Sequence, residues 1–134
     1  MSEQKNIVDT AIEMGNFSTL ISATKKLGLF NKFSNEGPYT IFAPIERVFE
    51  PIPDSVIDEA FEDREYLMDI INYHIVEGKY LTSDLLNIQT LTALNGKTLN
   101  ISKDGKLLVN GIEIKEDIEC TNGVIHVIED ILIP

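Results

Sequence analysis

Two histidines, one cysteine and a run of carboxylates are the side chains in this sequence with chemistry in them. His126 stands inside "TNGVIHVIEDILIP", otherwise a largely apolar stretch, and His74 stands in "INYHIVEGKY". An imidazole in such surroundings has three readings. As a metal ligand it needs two or three further ligands that converge on one point. The chain has two histidines and one cysteine, with neither His-x-x-x-His nor Cys-x-x-Cys spacing, so no metal or other cofactor is expected. As a general base it needs a cleft and a nucleophile to serve. The third reading is a neutral, buried ring hydrogen-bonded to backbone or to a side chain. Such a ring fixes strand register, because a one-residue slip leaves it without a partner. The apolar residues around His126 favour this third reading. Tyr73 and His74, at a helix-to-strand junction, read the same way, as a packing and capping pair in a structural polar core.

The remaining candidates are weaker. Cys120 cannot form an internal disulfide and reads as a small buried hydrophobe. Eight acidic and two basic residues lie between Glu46 and Glu65. Spaced as on a helix, they make a solvated face and not the convergent cage of a cation site. Gly96, Gly105, Gly111 and Gly123 sit in turns; no phosphate-cradling glycine spacing occurs. No catalytic constellation emerges, and a non-enzyme is expected.

These residues need a scaffold, and the totals bound it. The 134 residues, 43% of them apolar, suit one domain over 1–134 with a core of its own. Eleven basic residues stand against 22 acidic, a net charge of −11. That excludes nucleic acid as an expected partner and disfavours anionic membranes. A self-repelling surface goes with a soluble monomer. The opening "MSEQKNIVDTAIEMG" has no export-signal pattern, and no run approaches the ~18 apolar residues of a spanning helix, so no membrane insertion is expected.

The front of the chain is helical. Asn6 with Asp9 starts a helix that Gly15 ends, and a second runs from Ser18 to Leu27 before Gly28. Tyr39–Phe42, bracketed by Pro38 and Pro44, reads as a buried strand. Pro53 opens another helix that continues through "REYLMDIINY" and passes into a strand over Tyr73–Val76. The back is stranded, with hairpin corners expected at Asn95-Gly96, Asp104-Gly105, Asn110-Gly111 and Asn122-Gly123. Ile112, Ile114, Ile118 and Cys120 share one parity, the dry face of a strand; Glu113, Lys115, Asp117 and Glu119 share the wet one. Val124–Ile128 is apolar on both parities and predicts a central strand covered on both sides. The fold class is α+β.

Three segments in order resemble the fasciclin domain: "YTIFAPIERVF", its leading segment; "INYHIVEGKY", its central Tyr-His segment; and "TNGVIHVIEDILIP", its closing segment. Ile45 and Glu46 stand where that family usually has a small polar residue and then Asn, and Glu129 where it has Asp. The resemblance implies a wedge of two small, mainly antiparallel β-sheets, packed as a sandwich with N-terminal helices along one side. It implies a non-catalytic interaction or cell-adhesion module, at a cell surface or outside the cell, binding a protein or polysaccharide partner. Some animal members are recognised by integrins through positions matching Asp117, Ile118, Tyr73 and His74 here. The alternative from another class is a small-ligand-binding protein or enzyme with a site between helices and sheet.

Overall fold

A computed structural model describes residues 5–103 and 105–133. Helix α1 (Ile7–Met14) begins where the sequence places it: the Asn6 side chain accepts a hydrogen bond from the Asp9 N–H at 2.8 Å. It ends on Gly15 at φ 69°. Helix α2 (Ser18–Lys26) follows, then a six-residue α3 (Phe30–Asn35) that no sequence signal announced. Strand β1 (Tyr39–Pro44) is buried at every position. A 3-10 turn over Glu46–Phe49 leads to α4 (Asp54–Glu62) and α5 (Arg64–Tyr73). The sequence reading runs these last two together. Asp63 separates them, because its carboxylate accepts from the Tyr66 N–H at 3.2 Å and so starts a new helix.

Strand β2 is only Ile75–Glu77, so Tyr73, expected to open a strand, closes α5 instead. A short α6 (Thr82–Leu85) precedes strands β3 (Thr90–Thr92), β4 (Thr98–Lys103), β5 (Leu107–Val109), β6 (Ile112–Cys120) and β7 (Gly123–Ile128).

The expected pair of small sheets is a single seven-stranded sheet, ordered β2-β1-β7-β6-β5-β4-β3. β1 and β7 run parallel and every other pair antiparallel. Strand β6 is the reason there is one sheet. Ile112 and Glu113 pair with β5, and Ile114 and Glu116 to Cys120 pair with β7, so it joins what the sequence reads as two units. The sheet curls until its edges nearly meet: the Leu94 N–H, just after β3, donates to the Ile75 carbonyl of β2 at 2.8 Å.

Curling creates two cores. One lies between the helices and the sheet, with Phe17, Leu27, Phe33, Ile41, Ala43 and Ile125. The other lies inside the curl, with Phe42, Leu85, Leu99, Val109, Ile128 and Leu132. Alternate residues of β1 and β7 feed both, as the double-sided pattern of β7 predicts.

The parity of β6 needs correction. A bulge between Ile114 and Glu116 inserts one unpaired residue. Pairing two residues against one reverses the alternation beyond it. Ile112 and Ile114 therefore pack on the core inside the curl, while Ile118 and Cys120 join the helix-side core. They share a parity in the sequence but not a face.

The corners also differ from one another. At Asn110-Gly111 both residues have positive φ (49° and 81°) and Val109 pairs with Ile112, the expected two-residue hairpin. At Asn95-Gly96 the loop has three residues, with Ala93 bonded to the Lys97 carbonyl. At the β6–β7 corner Cys120 pairs with Gly123, so the loop is Thr121-Asn122 and Gly123 already belongs to the strand. Gly123 serves close approach instead: a Cβ there would stand 1.9 Å from the Tyr39 carbonyl oxygen. Asp104 of the expected Asp104-Gly105 corner lies outside the described residues.

Candidate functional site

His126 is fully buried on β7. Its Nε2–H donates to the Tyr80 carbonyl at 2.6 Å and its ring stacks on Phe42 with centroids 5.3 Å apart. With the proton on Nε2, Nδ1 is a bare acceptor, and it has no hydrogen-bond partner. Desolvation holds the ring below its ordinary pKa, opposed by the Tyr80 carbonyl and the Asp117 carboxylate.

Two neighbours hold the same segment. Thr40, also fully buried, donates to the Gly78 carbonyl at 2.8 Å and accepts from the Tyr80 N–H at 2.9 Å. Asp117, opposite His126 in the β6–β7 register, accepts from the Thr82 N–H at 3.1 Å and its hydroxyl at 2.8 Å. Partial burial would raise the Asp117 pKa, but the two Thr82 donors outweigh it and the carboxyl lies below its usual range. His126, Thr40 and Asp117 thus tie Gly78–Thr82 to the sheet. Sequence reasoning missed Thr40, although the signal was the same as for His126: one polar side chain in an apolar strand.

Tyr73 and His74 are adjacent yet serve different places. The Tyr73 hydroxyl donates to the Thr98 carbonyl at 2.8 Å and accepts from Asn110 Nδ2 at 2.9 Å, joining α5 to β4 and the β5–β6 corner. His74 caps α5: Nδ1–H donates to the Ile70 carbonyl at 2.7 Å, and Nε2 accepts from the Leu132 N–H at 2.9 Å. Both its nitrogens are occupied and the ring is 1% exposed. Burial lowers its pKa to about 4 against the opposing bond to Ile70, so the ring is neutral.

The four residues matched by the integrin-type resemblance do not form one exposed patch. Tyr73 and His74 are interior, Ile118 is half-buried against the helix-side core, and Asp117 alone is exposed. Cys120 is buried, and burial pushes its thiol pKa up. The two departures from the expected pattern make contacts of their own. Glu46 accepts from the Thr19 N–H at 2.7 Å and from the Thr19 hydroxyl, capping α2, while Glu129 pairs with Arg47 at 3.2 Å. Among the described residues, no three His, Cys, Asp or Glu side chains come together as a metal site would need. No helix among them is long and apolar enough to cross a membrane.

One cavity, about 560 Å³, reaches His74 of this polar set, and a hollow of about 490 Å³ with Lys26 in its lining adjoins it. The 560 Å³ cavity lies between α2, α4, α5 and residues 131–133, and its lining is mainly apolar.

A family model described as the fasciclin domain matches residues 15–134. Uncharacterized protein sll1735 of Synechocystis sp. is 33% identical over 129 residues, covering 96% of this chain and 97% of that protein. Transforming growth factor-beta-induced protein ig-h3 of Sus scrofa is 34% identical over 138 residues, covering the whole of this chain and 20% of that protein. Among solved structures, a FAS1 domain pair from the insect cell adhesion molecule Fasciclin I matches with a TM-score of 0.82 at 18% identity, over 97% of this chain and 51% of that one. With three family segments in register, a family model matching most of its length and this fold, the chain belongs to the fasciclin domain family.

Proposed function

We propose that this domain is a non-catalytic interaction module that binds a protein or polysaccharide partner at a cell surface. The observation that carries the reading is the fold's likeness to domains of an insect cell adhesion molecule. The disposition of the imidazoles supports it. His74 and His126 are neutral and buried, and their hydrogen bonds are to backbone groups, so they act as architecture and not as bases awaiting a substrate. Of the positions matched by resemblance, Asp117 is the one a partner reaches without unfolding the domain. Its carboxylate is exposed on a strand whose neighbouring Glu119 pairs with Lys79, and it suits a partner with a cationic group and an affinity that falls with salt.

Fractionation of source cells, followed by affinity capture with the purified domain from each fraction, tests this. Recovery of the native protein on the surface with a bound protein or glycan is expected, and Asp117→Asn is expected to reduce that capture several-fold while the fold persists. Recovery from cytosol with a bound metabolite, or capture indifferent to Asp117→Asn, overturns it.

A further inference from the structure

The 560 Å³ cavity meets the polar set at His74 and does not rest on the adhesion reading. Its volume falls within the roughly 300–1,000 Å³ of small-molecule sites. Leu20, Ala23, Leu67 and Ile71 make its inner wall. Its outer wall is α4, and that helix is unusual here. Val56, Ile57, Ala60 and Phe61 recur at helical spacing and line the cavity, yet α4 has no buried residue. Val56 is 50% exposed, and Tyr66 and Ile133 on the same rim are 49% and 66% exposed. A short amphipathic helix draws its stability from packing its apolar stripe, and here no residue of that stripe is fully buried and Val56 is half exposed.

Charge narrows the occupant. The ionisable groups lining the cavity are Glu59, Asp63, Tyr66 and His74. His74 has both nitrogens engaged, and among the described residues no Lys or Arg lines this space, Lys26 lying in the adjoining hollow. An anionic head group at this rim meets two carboxylates without a counter-charge, whereas a hydroxyl donates a hydrogen bond to either of them.

We propose that the cavity beneath α4 binds an elongated apolar molecule with a hydrogen-donating, non-anionic head group, of the long-chain or isoprenoid alcohol class, with α4 as its roof. The guest supplies the apolar surface that α4 lacks, and the acidic rim selects against fatty acids.

The neutral fluorophore N-phenyl-1-naphthylamine, titrated into the whole chain and displaced by 1-dodecanol or by dodecanoate, tests this. Saturable binding at one site per chain is expected, with dodecanol displacing the probe at least tenfold better than dodecanoate. Ala60→Trp, which fills the space from α4, is expected to weaken probe binding at least tenfold without lowering the melting temperature. Glu59→Lys changes an exposed side chain and is expected to bring dodecanoate level with dodecanol. Four results overturn the proposal: no saturable probe binding; dodecanoate equal to dodecanol in the unmodified protein; a Glu59→Lys protein with unchanged selectivity; or probe uptake that tracks dimer formation in ultracentrifugation, which assigns the face to a second copy.

Discussion

The inside of the curled sheet and the space beneath α4 are both apolar, but only one of them is closed. Inside the curl Phe42, Leu85, Leu99 and Val109 are wholly out of water, and polar bonds fasten the surrounding chain. Tyr73 links α5 to β4 and to the β5–β6 corner; Thr40 and His126 hold the segment before α6. Beneath α4 no residue of the stripe from Val56 to Phe61 is fully buried, Val56 is half exposed, and no side chain caps the helix start. Hydrophobic pattern alone therefore does not seal a core. Both regions have the pattern, and the sealed one also has buried polar groups that tether each flap of chain to the sheet.

Three measurements break or sharpen that contrast. On the sealed side, His126→Ala removes the bond to Tyr80 and the stack on Phe42 and opens a void. It is expected to cost on the order of 2 kcal/mol in urea denaturation; an unchanged midpoint removes the tether from the explanation.

His74 sits where the two regions meet. Its folded pKa of about 4 lies below the ordinary 6.5, so the unfolded chain takes up a proton first. The stability this ring contributes is fully present above pH 6.5 and drains away as pH falls toward 4. Linkage gives a loss of about 1 kcal/mol from this ring between pH 7 and 5.5, with His126 adding in the same direction. Urea midpoints that stay level over that interval count against both rings being buried neutral.

On the open side, Val56→Ser removes apolar surface from a half-exposed position. It is expected to shift stability by no more than about 0.5 kcal/mol; a loss approaching that of His126→Ala means α4 is packed more tightly than its exposure shows.

The sequence made parts of this legible because they depend on neighbours in the chain. Asn6 and Gly15 bracket α1 through local bonds, and Asn110-Gly111 specifies its own corner through positive φ. The double apolar parity of β7 marks His126 as part of a covered strand. What stayed hidden is non-local. The bulge in β6 has no marker among alternating Ile and Glu, so one parity read as one face. The single curled sheet depends on β6 pairing with β5 at one end and β7 at the other, which composition does not record. Gly123 looked like half of a turn because its real constraint, the Tyr39 carbonyl, lies 84 positions earlier in the chain. At the candidate site the rings were found by their oddity, but their partners, Tyr80, Ile70 and Leu132, offer backbone atoms that carry no residue signature.

The bond from Leu94 to Ile75 has a consequence for behaviour in crowded solution. Strands β2 and β3 are three residues each, and this bond occupies part of the rim they would otherwise present. An incoming extended chain finds no long row of idle amides and carbonyls to zip onto. The domain is guarded by its own closure against edge-to-edge aggregation.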